Sequence, residues 1–249
     1  MQTLQSILVI TCGRFLIVSV AIVGLAISAH SIHRGLEPTQ AQEDRCATSV
    51  GCNAVFIEDF GDSSYPRSAD IRWEQAPTDA ELASDTRYFL RFVTDSGGDA
   101  SPSVEVGMIG APGRPFVIYS LCHLCNERPD APSTLANHGP IQQPTSIQVN
   151  YDRDTGTWAW YINNNSVRSV NIPAVGPPRR MVTGVLSTSE HSRIGRFWHN
   201  HVRIWMSNGP YSLFSSGAPT YIPGHAAELL DIQSMRDGSI LVQDVEGRS

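Results

Sequence analysis

Residues 145–168 read TSIQVNYDRDTGTWAWYINNNSVR, and their periodicity decides the fold. Ile147, Val149 and Tyr151 alternate with Gln148 and Asn150. Beyond a reversal, Trp158, Trp160 and Ile162 alternate with Ala159, Tyr161 and Asn163. A period of two sets each apolar trio on one face of a strand. Between the two runs, residues 152–156 place Asp and Gly where the chain must turn. Gly reaches positive φ at no steric cost and Asp tolerates it. Asn163, Asn164, Asn165 and Ser166 form a second turn signal. The stretch predicts a β-meander that buries two indoles.

Outward from the meander, further short runs carry strand-forming residues: 55–60 (VFIEDF), 87–94 (RYFLRFVT), 103–109 (SVEVGMI), 116–121, 180–186 and 197–206. Residues 96–99 and 111–115 are Gly- and Pro-marked turns, and 239–245 repeats the strand pattern. Helical candidates are confined to two short pieces, 77–84 (PTDAELAS) and 226–235. Residues 126–144 hold four prolines and read as an exposed loop. Many short strands with Gly, Pro, Asn and Asp between them predict an all-β sandwich or jelly roll.

Four of these segments, in order, carry a family resemblance. VFIEDF with Trp73 downstream resembles the opening of concanavalin A-like lectin/glucanase domains. SVEVGMIGAPGRPFVIYSL is similar to a strand–turn–strand of the laminarinase-type glycoside hydrolases. SIQVNYDRDTGTWAWYIN resembles the hairpin that follows it, and FWHNHVRIWM the terminal strand. The resemblance spans residues 55–206. It implies a concanavalin A-like jelly-roll β-sandwich, with Glu105 on the strand lining a concave face. It also implies where catalysis should sit: an E-x-D-x-x-E strand between the second and third segments. That interval here is CHLCNERPDAPSTLANHGPIQQ, which offers only Glu127 and Asp130 on Pro-rich chain. A retaining glycosidase needs two carboxyl groups about 5–5.5 Å apart across one cleft. No catalytic residue is therefore assigned.

The remainder of the chain bounds the setting. Residues 7–29 are largely apolar, with Arg14 before the least interrupted run and Ala26, Ser28 and Ala29 closing it. These are the marks of a signal peptide cleaved near residue 29, or of a hydrophobic helix retained as a transmembrane anchor. Either reading makes the rest extracytoplasmic: periplasmic, secreted or membrane-anchored. Residues 30–53 read as a linker, 54–206 as the sandwich and 207–249 as an extension that packs on it or docks a partner. The net charge of −6, without a clustered basic face, argues against nucleic acid. All 18 basic residues are arginine, which excludes chemistry through a lysine Schiff base.

Cys46, Cys52, Cys122 and Cys125 are an even set in an exported chain, so disulfides are expected. Local pairing would close CATSVGC and CHLC, whereas cross-pairing would tie the domain's start to its middle. A zinc site of four thiolates is the competing arrangement.

Strict alternation along residues 197–206 groups Phe197, His199, His201, Arg203 and Trp205 on one face. Aromatic rings among hydrogen-bonding groups suit a sugar, which has apolar ring faces and hydroxyl edges. With Glu105, the residues His199, His201, Arg203 and Trp205 make the expected ligand-binding set. No metal is assigned; calcium held by Glu58 and Asp59 is the one cation the resemblance allows. The expected function is a non-catalytic binding module for a glycan or cell-surface polymer. The alternatives are an accessory subunit of a membrane-associated assembly and a glycoside hydrolase with relocated carboxylates.

Overall fold

The computed structural model describes residues 44–46, 51–61, 63–94, 102–123, 134–141, 144–172, 176–214 and 218–245. The expected signal or anchor, the linker up to residue 43, Cys125, Glu127 and Asp130 lie outside them. No α-helix occurs among the described residues, and none of their helices is long and apolar enough to cross a membrane.

Two antiparallel sheets face each other. In spatial order the first contains β13 (Thr220–Ile222), β1 (Cys52–Asp59), β10 (Arg180–Ser187), β3 (Thr86–Val93), β4 (Ser103–Ala111), β5 (Arg114–His123) and β6 (Thr134–Pro140). The second runs β14 (Leu230–Ser234), β15 (Ile240–Asp244), β11 (Phe197–Met206), β2 (Pro66–Trp73), β7 (Thr145–Asp152), β8 (Thr157–Ile162) and β9 (Asn165–Asn171). A short β12 (Tyr211–Leu213) pairs with β11. The chain is thus an all-β sandwich.

The opening meander sits as its pattern requires. Val149 pairs with Trp160, Tyr151 with Trp158 and Ile147 with Ile162, all facing the core. Gly156 takes φ +65°, and the Asp152 carboxylate accepts from the Asp154 amide and the Thr155 hydroxyl. Asn163 and Asn164 supply positive φ at the second turn. Both indoles are fully buried. Trp160 donates its N–H to the backbone carbonyl of Glu105 on the opposite sheet, 3.2 Å away. Phe92 against Trp158 and Tyr88 against Phe197, with centroids 6.0 and 4.7 Å apart, close the remaining space between layers. Each such ring removes on the order of 150–250 Å² from water, so the aromatic layer dominates the energetics.

Several elements depart from the sequence reading. Residues 77–84 are not helical, because their backbone is engaged by the 189–196 segment. Glu81 pairs with Arg193, and the Ala83 and Ser84 amides donate to the Ser192 hydroxyl. Residues 226–235 are not a continuous helix. One 3-10 turn, Gly224–Glu228, precedes β14, whose Leu230 and Ile232 alternate into the core. Inside the expected 126–144 loop lies β6, and it is an edge strand, the position where Pro140 costs no ladder bond. β2 and β9 were not anticipated. β2 opens on a proline with one β-branched residue, and β9 is an exposed edge rich in Ser and Asn. The segment beyond Met206, expected to pack on the sandwich or dock a partner, joins both sheets, with β13 on β1 and β15 on β11.

Cys46 and Cys52 form a disulfide, so local pairing holds at the domain's start. Cys122 is also disulfide-bonded. Such bonds fit an oxidising, extracytoplasmic environment.

Gly107 is fixed by packing. A Cβ there would lie 2.9 Å from the Tyr119 ring and closer still to the Tyr88 carbonyl oxygen. Backbone cannot retreat as a flexible side chain does. Gly107→Ala is expected to cost about 2–3 kcal/mol, lowering Tm by roughly 5–10 °C in a thermal melt.

Candidate functional site

Alternation on β11 is broken by a bulge between Asn200 and Arg203. Asn200 pairs with Arg72 and Arg203 with Asp70, so three steps on β11 match two on β2. The extra residue is His201, exposed and at φ +50°. A one-residue slip exchanges faces. The five-residue face expected from strict alternation is therefore divided. Phe197 and His199 point inward with Val202 and Ile204, while Arg203 and Trp205 emerge on the outer face with Trp198 and Asn200.

Arg203 and Trp205 do stand together. The Arg203 guanidinium lies 5.3 Å from the Trp205 ring centroid and grips the Asp70 carboxylate with two nitrogens, Nε at 3.1 Å from Oδ1. Burial raises the Asp70 pKa above its ordinary value, and the guanidinium pulls against that rise. Register places Ser68 beside Trp205 and Asn150 beside Ser68, with Gln148 beside Asp70. The Ser68 hydroxyl donates to Asn150 Oδ1 at 2.6 Å and accepts from Gln148 Nε2 at 2.9 Å. Strands lie about 4.8 Å apart, so Trp205 to Asn150 spans roughly 10 Å of outer face. A depression of about 310 Å³ occupies it, lined by Arg67, Ser68, Gln148, Asn150, Tyr151 and Trp205. That is near the lower end for small-molecule sites.

Ser68, Gln148 and Asn150 were not singled out from sequence. Gln148 and Asn150 were visible as the polar half of the opening alternation, but nothing in sequence placed β2 between them and Trp205.

Glu105 stands elsewhere, on the outer face of the first sheet, 1% exposed. It accepts from Arg91 Nε at 2.6 Å and from the Tyr119 hydroxyl. Burial first, then the Glu105 charge, raises the Tyr119 pKa well above normal. Glu105 and Asp70 belong to different sheets and do not face each other. Glu105→Ala is expected to cost about 2–3 kcal/mol, because the buried Tyr119 hydroxyl loses its acceptor. Urea denaturation would read this as a lower midpoint at unchanged slope.

His199 is wholly buried among Trp73, Tyr88 and Phe197, with ring centroids 6.1, 6.5 and 5.3 Å away. Neither ring nitrogen has a hydrogen-bond partner among the described residues, and burial lowers its pKa to about 3. Of the calcium pair, Asp59 is bound by Arg180 at 2.6 Å, and burial raises the Glu58 pKa. A serine–histidine contact also occurs, Ser120 Oγ to His138 Nε2 at 2.8 Å, with Arg168 on the same hydroxyl at 3.2 Å. Ser120 is 0% exposed, which puts its oxygen out of a substrate's reach.

No family model and no curated protein matches the sequence. Among solved structures, the chain is similar to SCP-B, a member of the eqolisin family of peptidases in complex with the tripeptide Ala-Ile-His. That match has 12% identity and TM-score 0.51, covering 78% of this chain and 96% of that one. It is similar also to scytalido-glutamic peptidase with a peptide-based transition-state analogue: 10% identity, TM-score 0.50, 78% of this chain and 97% of that one. A lichenase from a mouse hindgut metagenome aligns over 55% of this chain and 67% of its own, at 10% identity and TM-score 0.34, too slight to carry weight. Likeness at these identities is one of architecture, and architecture does not fix chemistry.

Proposed function

We propose that this chain is an exported, concanavalin A-like jelly-roll module that binds a glycan on the outer face of its second sheet. The observation that carries the reading is Trp205 bordering a depression lined by two amides, a hydroxyl and a guanidinium. An indole stacks on the apolar face of a pyranose, while Gln148, Asn150, Ser68 and Arg67 match its hydroxyls as donors and acceptors. Glu105, His199 and His201 leave the ligand-binding set on this reading; Arg203 and Trp205 stay in it, the former steadying the indole. The membrane would be met through residues 7–29 where these are retained.

Screening the purified chain on a glycan array, followed by polysaccharide pull-down, tests the reading. Selective retention of one glycan class supports it. Uniform failure across neutral and acidic polysaccharides overturns it.

A second reading, hydrolysis, draws on the shared architecture with the two peptidases and on the Asp70 carboxylate, which stands beside Gln148 on the outer face. Turnover of a peptide or oligosaccharide library, abolished by Asp70→Asn, would favour it over binding alone.

A further inference from the structure

Cys46 Sγ, Cys52 Sγ and the imidazole of His225 gather at the start of the domain, their ligand atoms within 4.8 Å of one another. Both sulfurs are buried and His225 is half-buried. Cys52 Sγ lies 3.5 Å from His225 Nε2. With Zn–S of about 2.3 Å and Zn–N of about 2.0–2.1 Å, a tetrahedral angle at zinc sets sulfur and nitrogen about 3.5 Å apart. The histidine already holds ligand distance from Cys52.

All three groups are held in place by bonds other than the disulfide. Asp44 accepts from the amides of Cys46 and Glu190, each at 2.9 Å, and from the Ser189 hydroxyl. Arg45 binds Glu190 at 2.8 Å and Glu228 at 3.1 Å. Cys52 is fixed by the pairing of β1 with β10, where it faces Ser187. His225 follows β13, which pairs with β1 through Ile222 and Asn53. Cleaving the sulfur–sulfur bond therefore leaves the two thiols facing His225. They need part only to about 3.8 Å to share a metal at tetrahedral angle.

We propose that the dithiol form of this chain binds one Zn²⁺ through Cys46, Cys52 and His225, with water in the fourth position, and that disulfide formation expels it. Two thiolates and an imidazole are a soft ligand set suited to zinc. A dithiol reductant delivers two electrons and two protons to the cystine and becomes a disulfide itself. Zinc binding then releases those two protons as the thiols become thiolates. In reverse, exchange with an oxidised dithiol partner removes two electrons, rejoins the sulfurs and frees the metal.

The test uses the full chain, reduced with a phosphine, desalted without oxygen and titrated with Co²⁺ and then Zn²⁺. One equivalent of Co²⁺ is expected to bring thiolate-to-metal charge-transfer absorption and tetrahedral d–d bands, which Zn²⁺ displaces; the oxidised chain shows neither. Cys46→Ser with Cys52→Ser, leaving Cys122 and Cys125 intact, is expected to abolish the signal. His225→Ala shifts the d–d bands and weakens binding at least about tenfold. In the oxidised state His225→Ala keeps wild-type circular dichroism, which separates loss of a ligand from loss of fold. No stoichiometric band in the reduced chain overturns the proposal. So does a band that survives the double serine variant, or a reduced chain that unfolds and that Zn²⁺ does not restore.

Discussion

Trp205→Ala is expected to reduce glycan affinity at least tenfold, about 1.4 kcal/mol or more, without lowering stability measurably. A half-buried aromatic beside hydrogen-bonding groups is the kind of residue on which binding energy concentrates. Trp205 is partly exposed and outside the sandwich core, so its loss opens no cavity between the sheets. The Arg203–Asp70 clamp remains, though without the ring it packs on. Calorimetric titration with the glycan selected by array, alongside a thermal melt, reads both quantities. Unchanged affinity in a folded variant would remove Trp205 from the site and with it the proposed function.

Acid is expected to destabilise this protein through His199. An unfolded histidine protonates near pH 6.5, whereas the buried ring resists until about 3. The folded pKa is depressed, so below pH 6.5 the unfolded chain binds the extra proton and stability falls. The loss grows as pH drops and levels off near pH 3, where the folded ring protonates as well. At pH 4, two and a half units below the unfolded value, the penalty is about 3 kcal/mol at about 1.36 kcal/mol per unit. His199→Leu replaces the ring by an apolar group among Trp73, Tyr88 and Phe197 and removes two nitrogens that have no partner among the described residues. Unfolding free energies from denaturant titration at pH 7 and pH 4 are expected to lie closer together in the variant by that amount. Equal loss in both proteins would acquit His199.

The meander was legible because both its signals are local. Alternation set the faces of Ile147, Val149, Tyr151, Trp158 and Trp160, and Asp152 with Gly156 set the turn. β11 shows the limit of the same rule. Strict alternation does not foresee the bulge at His201, because an extra residue leaves no mark in a run that is mixed on both faces. That one residue sent His199 into the core and separated it from Trp205. β2 was illegible for another reason: PRSADIRW becomes a strand by filling the gap between β7 and β11, where its partners supply the ladder. With it went the site's centre, since Ser68 and Asp70 are β2 residues. Residues 77–84 have helical propensity, yet their amides are taken by Arg193 and Ser192, more than a hundred positions away. Such long-range contacts override local preference.

The strands contributed by the last forty residues bear on how the protein is handled. A chain stopped after Met206 lacks β13 against β1, and both β12 and β15 against β11. It also lacks the apolar cover of Phe214, Ile232, Ile240 and Val242. Two long strands would then present unsatisfied amides and carbonyls to solvent, an invitation to edge-to-edge polymerisation. Size-exclusion chromatography with light scattering is expected to find residues 42–206 in high-mass aggregates and residues 42–245 eluting as a discrete species.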